Sequence, residues 1–167
     1  MKKLSVLMIA LVFLIPLART AFAAPARKAP SQVMTNVTRL PIKGTIQSNE
    51  TYVTVFPTMS VTASGTGDAT QLGKFTLRYH TEISLLDLSL IESAQLMGAN
   101  GNSLNAEAVG QASENRTPNM LNLVEIYTIT GGTGQFNGAS GTITLNRLVS
   151  LTTGATYSTF EGYILIP

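Results

Sequence analysis

The chain has 167 residues, with 11 Lys and Arg, nine Asp and Glu, one His and no Cys. The absence of Cys excludes disulfides, so a packed core must stabilise the fold even in an oxidising compartment. The basic excess is small and lies in the first 23 residues, so no basic patch for nucleic acid is expected.

Residues 1–23 predict a cleaved signal peptide. A start with two lysines, an apolar run over residues 4–17 and the triplet Ala-Phe-Ala at 21–23 are typical of a secretory leader. A membrane anchor is the alternative, but the run is shorter than the ~20 residues that a spanning helix needs, and Pro16 interrupts it. We therefore expect cleavage after Ala23, a secreted or periplasmic protein and no stable membrane insertion once the leader is removed.

The mature chain is expected to be nearly neutral and to form one domain. Removal of the leader reduces the eleven basic residues to eight, against nine acidic ones. Residues 24–35 are rich in Pro, Ala and charge without any period, which predicts a flexible N-terminal segment. Residues 36–167 are enough to bury a self-sufficient core, so they predict a single domain.

From Asn36 onward, short runs rich in Thr, Val, Ile, Leu and Tyr alternate with clusters of Gly, Asn, Asp and Ser. This pattern is typical of consecutive strands joined by tight turns, and no segment has helical periodicity. We predict an all-β, eight-stranded antiparallel closed barrel, because closure removes the exposed edges of an open sheet; a two-sheet sandwich is the alternative. The predicted strands cover residues 37–47, 51–62, 73–85, 89–98, 102–112, 120–130, 139–151 and 155–166.

Turn signals separate several of these strands. They include the segments at 65–68 (GTGD), 100–102 (NGN) and 152–154 (TTG). Asn100-Gly101 indicates a two-residue hairpin, in which both central residues take positive φ.

The only His of the chain is expected on the surface. In the strand FTLRYHTEISL, the alternation places His80 on the polar face between Arg78 and Glu82. Without a second His, a Cys or an acidic calcium loop, no metal site is expected.

The stretch ITGGTGQFNGASG, residues 129–141, carries five glycines. A dinucleotide-binding loop would need a further Gly at Asn137 and a helix after it, whereas a strand pattern follows. The stretch therefore predicts a turn and no nucleotide cofactor. We expect Phe136 to turn back and cover one end of the barrel. The turn-forming residues are Gly131, Gly132, Gly134, Phe136, Gly138 and Gly141.

The segments ITGGTGQFNGASGTITL and TYSTFEGYI resemble the GG[ST]G-x-F-x-G-A-x-G region of the allene oxide cyclase family and the similar region of plant dirigent proteins. The segment LGKFTLRYH is similar to secreted bacterial relatives of unknown function. The resemblance implies a calycin-like, eight-stranded barrel, usually trimeric, that holds small hydrophobic or phenolic molecules. The active-site Cys of the cyclases has no counterpart here, so the resemblance does not extend to their reaction.

Charged residues interrupt the apolar series of two predicted strands. Glu125 and Tyr127 belong to the more apolar series of LNLVEIYTI, and Arg147 belongs to that of TITLNRLVSL. We expect an inward-facing Glu125–Arg147 pair that is either structural or a polar anchor in a ligand cavity, with Arg147 lowering the pKa of Glu125. Val124 and Ile126, on the outer face, are candidates for a homo-oligomer interface.

Three functions remain open. The first is binding of a small hydrophobic or phenolic molecule, without chemistry or cofactor, by Glu125, Tyr127 and Arg147. The second is a cyclase-like isomerase with Glu125 as the catalytic group; a lowered pKa disfavours it, because an ionised carboxylate is a poor acid near neutral pH. The third is a structural or interaction protein with a solid core. Cavity volume separates the third from the other two.

Overall fold

A computed structural model describes residues 36–167. The predicted leader (1–23) and the predicted flexible segment (24–35) lie outside this range. Within it, no helix is long and apolar enough to cross a membrane.

The described residues form one closed barrel of eight strands. Every strand is antiparallel to its neighbours, and the last strand pairs with the first. The prediction of an eight-stranded antiparallel barrel is confirmed, and the sandwich alternative is wrong. The strands are β1 (Thr38–Val55), β2 (Thr58–Ala69), β3 (Gly73–Ser84), β4 (Ser89–Gly98), β5 (Ser103–Glu114), β6 (Met120–Gly132), β7 (Ser140–Ser150) and β8 (Ala155–Ile166).

Alternation of buried and exposed residues builds the interior. In β4 the buried positions run from Leu90 to Gly98 in steps of two, and most of the other strands alternate over their central part, whereas the end of β1, Thr51–Val55, is exposed throughout. The inward side chains form two apolar clusters. The larger one includes Ile42, Ile46, Leu72, Phe75, Leu77, Tyr79, Leu96, Leu104, Tyr127, Ile129, Phe136, Ile143, Leu145, Phe160 and Ile164. The smaller one contains Val61, Ile83, Leu90, Ala112, Leu123 and Val149.

The predicted break between the first two strands is wrong. β1 runs on to Val55, and the chain turns at Phe56 and Pro57. The expected turn at 65–68 lies inside β2, where Gly67 is paired with Phe75 of β3. A side chain at Gly67 would collide with the Phe75 ring, so this glycine provides space for a large inward neighbour.

The β4–β5 hairpin also differs from the prediction. Gly101 has positive φ, 81°, but Asn100 does not, and the Gly101 N–H donates to the Gly98 carbonyl at 2.9 Å. The loop is longer than the expected two residues, because the strands end at Gly98 and resume at Ser103. The predicted turn at 152–154 is confirmed: Gly154 has φ 72°, and its N–H donates to the Ser150 carbonyl at 2.8 Å.

Residues 131–141, here called the glycine corner, connect β6 to β7 through a short 3-10 turn at Gly134–Phe136. Positive φ angles occur at Gly131, Gly134, Gly138 and Gly141, but not at Gly132. A side chain at Gly132 would collide with the Ser103 carbonyl.

The glycine corner closes one end of the barrel. Phe136 is completely buried in the larger apolar cluster, as expected. The Thr133 N–H donates to the Ser103 carbonyl at 2.9 Å, and the Ser103 N–H donates to Thr133 Oγ1 at 3.1 Å. These two bonds attach the corner to β5.

Candidate functional site

A band of polar side chains lies inside the barrel between the two apolar clusters. On β6, for example, Glu125 lies between Leu123 of the smaller cluster and Tyr127 of the larger one. On β7, Arg147 lies between Leu145 and Val149 in the same way. We call this band the polar layer; it consists of Ser48, Glu50, Tyr79, Thr81, Glu92, Glu125, Tyr127 and Arg147.

Arg147 is the centre of the polar layer. Its Nη1 donates to Glu50 Oε1 at 3.1 Å, and its Nη2 donates to Glu92 Oε2 and to Glu125 Oε1, both at 2.8 Å. The expected Glu125–Arg147 pair is therefore present, but it is one of three. Nη2 also lies 3.2 Å from Tyr127 Oη. One guanidinium thus holds three carboxyl groups in the interior.

The hydroxyl groups of the layer donate to the same carboxyl groups. Tyr79 Oη donates to Glu50 Oε1 at 2.6 Å, and Thr81 Oγ1 donates to Glu92 Oε2 at 2.6 Å. Tyr127 Oη donates to Glu92 Oε1. The ring of Tyr79 also lies under the Arg147 guanidinium, 4.3 Å from its centroid, which adds a cation–π contact.

Glu125 differs from the other carboxyl groups because one of its oxygens lacks a partner. Its side chain is fully buried, and Oε2 accepts no hydrogen bond from an N–H or O–H donor within residues 36–167, although the carboxyl group lies within hydrogen-bonding reach of Glu92. Leaving a buried acceptor unpaired costs about 1–3 kcal/mol, and more when the group is charged. Gly110 of β5 makes room for this side chain, since a Cβ there would lie 2.8 Å from Glu125 Cγ.

The expectation that Arg147 lowers the pKa of Glu125 is wrong in its net direction. Burial raises the pKa of Glu125 from 4.5 to about 8, because it outweighs the attraction of Arg147, and the nearby Glu92 raises it further. Glu125 is therefore protonated at neutral pH. Alternation in the sequence predicts that a side chain points inward. It does not predict how deeply that side chain is buried, or that a second carboxyl group lies beside it.

The free space inside the barrel is small and apolar. A cavity of about 30 Å³ lies within the larger cluster, next to the polar layer. This volume corresponds to roughly one water molecule. The barrel is therefore closed and almost filled in this state. The cavity is lined by Ile46, Leu77, Leu96, Leu104, Ala106, Tyr127, Ile129, Ile143, Leu145 and Phe160.

Sequence analysis did not identify Glu50 and Glu92 as parts of the site. Glu92 belongs to the apolar series Leu90-Glu92-Ala94 of β4, so alternation could have indicated it. Glu50 was assigned to a turn, which the longer β1 replaces. The site therefore holds two more carboxyl groups than expected.

The outer surface carries the remaining predicted features. His80 is exposed and lies 2.9 Å from Glu82. Among the described residues, no group of three or more His, Cys, Asp or Glu is arranged to hold a metal ion. Val124 and Ile126 are about half exposed, at 50% and 51%.

Comparison with known proteins supports the fold. The sequence matches no protein-family model and no curated protein. The solved structure of a pterocarpan synthase dirigent protein is similar, with a TM-score of 0.50 and 16% sequence identity, and the match covers 86% of this chain and 99% of that chain. This similarity shows a dirigent-like barrel fold.

Proposed function

We propose that this dirigent-like barrel binds a small molecule whose apolar body lies in the larger cluster and whose polar atom meets the polar layer. The observation that carries the proposal is the unpartnered, fully buried Oε2 of Glu125. A buried polar atom without a partner is unfavourable, so a ligand that pairs with it gains affinity. Tyr127 connects the two regions, because it lines the apolar cavity and belongs to the polar layer.

The nearly filled larger cluster favours the solid-core alternative, but a purely structural role explains the polar layer less well. Apolar residues of similar volume are often as stabilising as a buried ion pair, or more so. A barrel filled only for stability therefore has no need of three carboxyl groups around Arg147. Perturbed ionisable groups of this kind cluster at functional sites.

The small cavity means that a ligand must displace protein atoms. Phe136 belongs to the same cluster and comes from a corner rich in glycine, so we propose that its ring moves to admit the ligand. This movement would not disrupt a strand, since Phe136 belongs to a three-residue 3-10 turn.

Methyl NMR with cyclohexanone tests this proposal within one sample. The inward methyl groups of Ile129 and Ile143 line the cavity, whereas Ile91 and Ile126 lie on the outer face and act as internal controls. We expect saturable shifts of the inward methyl signals and none at the outer ones. Shifts confined to the outer face, or shifts that never saturate, would contradict the proposal.

A second candidate is an isomerase-like activity, and the raised pKa of Glu125 favours it. A carboxyl group with a pKa of about 8 holds a proton at neutral pH and can donate it to a substrate oxygen. The Glu125→Gln variant keeps the size of the side chain but removes the acid. Turnover of an epoxide or phenolic substrate that survives this change in a folded protein would exclude Glu125 as the acid.

We also propose that the protein is secreted and that it forms a homo-oligomer through an outer apolar row. Ile91, Val109 and Ile126 are neighbours across β4, β5 and β6, and they are 62%, 61% and 51% exposed. Covering such a row removes apolar surface from water. Light scattering after size-exclusion chromatography should show an oligomer for the wild type and a monomer for Val109→Lys. A monomeric wild type would contradict this proposal.

A further inference from the structure

We infer that the polar layer selects neutral molecules with an acceptor oxygen, such as a ketone or an ether, and rejects anions. This inference rests on the proposed function, because it names the class of ligand that the same site binds. It depends on which donors and charges of the layer are already engaged.

Rejection of anions follows from the contacts of Arg147. Both of its terminal nitrogens already donate to carboxyl groups: Nη1 to Glu50, and Nη2 to Glu92 and Glu125. A ligand carboxylate or phosphate would lie beside these carboxyl groups, while both terminal nitrogens of the guanidinium are already engaged by them.

The hydroxyl groups of the layer are engaged as well. Tyr79 donates to Glu50, while Tyr127 and Thr81 donate to Glu92. Glu92 also accepts from Arg147, so three hydrogen bonds already satisfy it. Oε2 of Glu125 is then the buried oxygen of the layer that accepts from no donor among residues 36–167. The Glu125 carboxyl group also lies within hydrogen-bonding reach of Glu92, so a ligand oxygen must compete with that contact.

The protonation state of Glu125 decides which ligand atom pairs with it. Burial and the neighbouring Glu92 raise the pKa of Glu125, so the carboxyl group carries a proton at neutral pH and donates to an acceptor. On ionisation the same oxygen accepts instead, which favours a hydroxyl over a ketone. The charged and titratable groups that face Glu125, directly or through Arg147, are Glu50 on β1, Tyr79 on β3, Glu92 on β4, Tyr127 on β6 and Arg147 on β7.

Three matched ligands test this inference: cyclohexanone, cyclohexanol and cyclohexanecarboxylate. Their dissociation constants are measured from the inward methyl shifts of Ile129 and Ile143 at pH 6.5 and pH 9.5. At pH 6.5 we expect the ketone to bind about tenfold more tightly than the carboxylate. One buried hydrogen bond, without charge repulsion, provides a difference in affinity of this size. From pH 6.5 to pH 9.5, the affinity of the ketone relative to that of the alcohol should fall several-fold.

The Glu125→Gln variant is the control for the pH dependence. Its amide N–H₂ donates at every pH, so the ratio of ketone to alcohol affinity should stay constant between pH 6.5 and pH 9.5. The same pH dependence in this variant would overturn the assignment to Glu125.

The outcomes also separate this inference from the proposed function. A carboxylate that binds inside the barrel as tightly as the ketone overturns the inference and leaves small-molecule binding intact. If none of the three ligands shifts an inward methyl signal, the proposed function fails and the inference fails with it.

Discussion

Replacement of Glu125 by Gln should change how the stability of the barrel depends on pH. The folded state holds the proton of Glu125 with a pKa of about 8, whereas the unfolded chain releases it near 4.5. The stability that this difference in pKa contributes is fully present below pH 4.5 and is lost as the pH rises through about 8. At about 1.4 kcal/mol per pH unit, the full change is about 5 kcal/mol.

Urea unfolding of the wild type and Glu125→Gln from pH 4.5 to pH 9 measures this effect. Gln has nearly the same shape and does not titrate, so subtracting the two curves removes the contribution of other ionisable groups. We expect the wild type to lose stability relative to the variant as the pH rises, mostly between pH 5 and pH 8. A constant difference across the range would show that Glu125 titrates near its ordinary value and would refute the argument from burial.

Three further substitutions test the packing of the barrel. Phe136→Ala should lower the free energy of unfolding by about 3–5 kcal/mol, because the ring is fully buried, whereas Gln135→Ala on the same corner should change it by about 0.5 kcal/mol or less. Arg147→Met should cost about 3–5 kcal/mol, since it leaves three buried carboxyl groups without their cation. Gly67→Val should cost about 1–3 kcal/mol through collision with Phe75, whereas Thr66→Val on the outer face should be nearly neutral. Urea midpoints check all three. A loss no larger than that of the outward control, or for Arg147→Met a loss below about 1 kcal/mol, would contradict the corresponding contact.

The sequence was sufficient to predict the barrel because alternation is a local property. Each strand carries its own period of two, and closure follows from the cost of exposed edges. The predicted turn at 65–68 was wrong for a tertiary reason. The glycines of β2 resemble a turn in the sequence, but Gly67 leaves space for Phe75, which lies on another strand.

The candidate site was predictable only in part. Alternation placed Glu125 and Arg147 on inward faces of neighbouring strands, and the structure shows them 2.8 Å apart. The sign of the pKa shift was not predictable, because it depends on the depth of burial and on Glu92, which arrives from β4. Two strands distant in sequence, β1 and β4, bring Glu50 and Glu92 to Arg147, and no local pattern predicts that these strands meet it.

Native mass spectrometry is the most direct test of small-molecule binding at the polar layer. The wild type and the Glu125→Leu variant are purified side by side from the producing cell without denaturation. We expect the wild type to carry a neutral small molecule, and the added mass to disappear on denaturation. The folded variant should lack this molecule, because Leu cannot pair with the polar atom of the ligand. A wild-type protein with no bound molecule, or a folded variant that retains the same molecule at the same occupancy, would contradict the claim that the polar layer binds it.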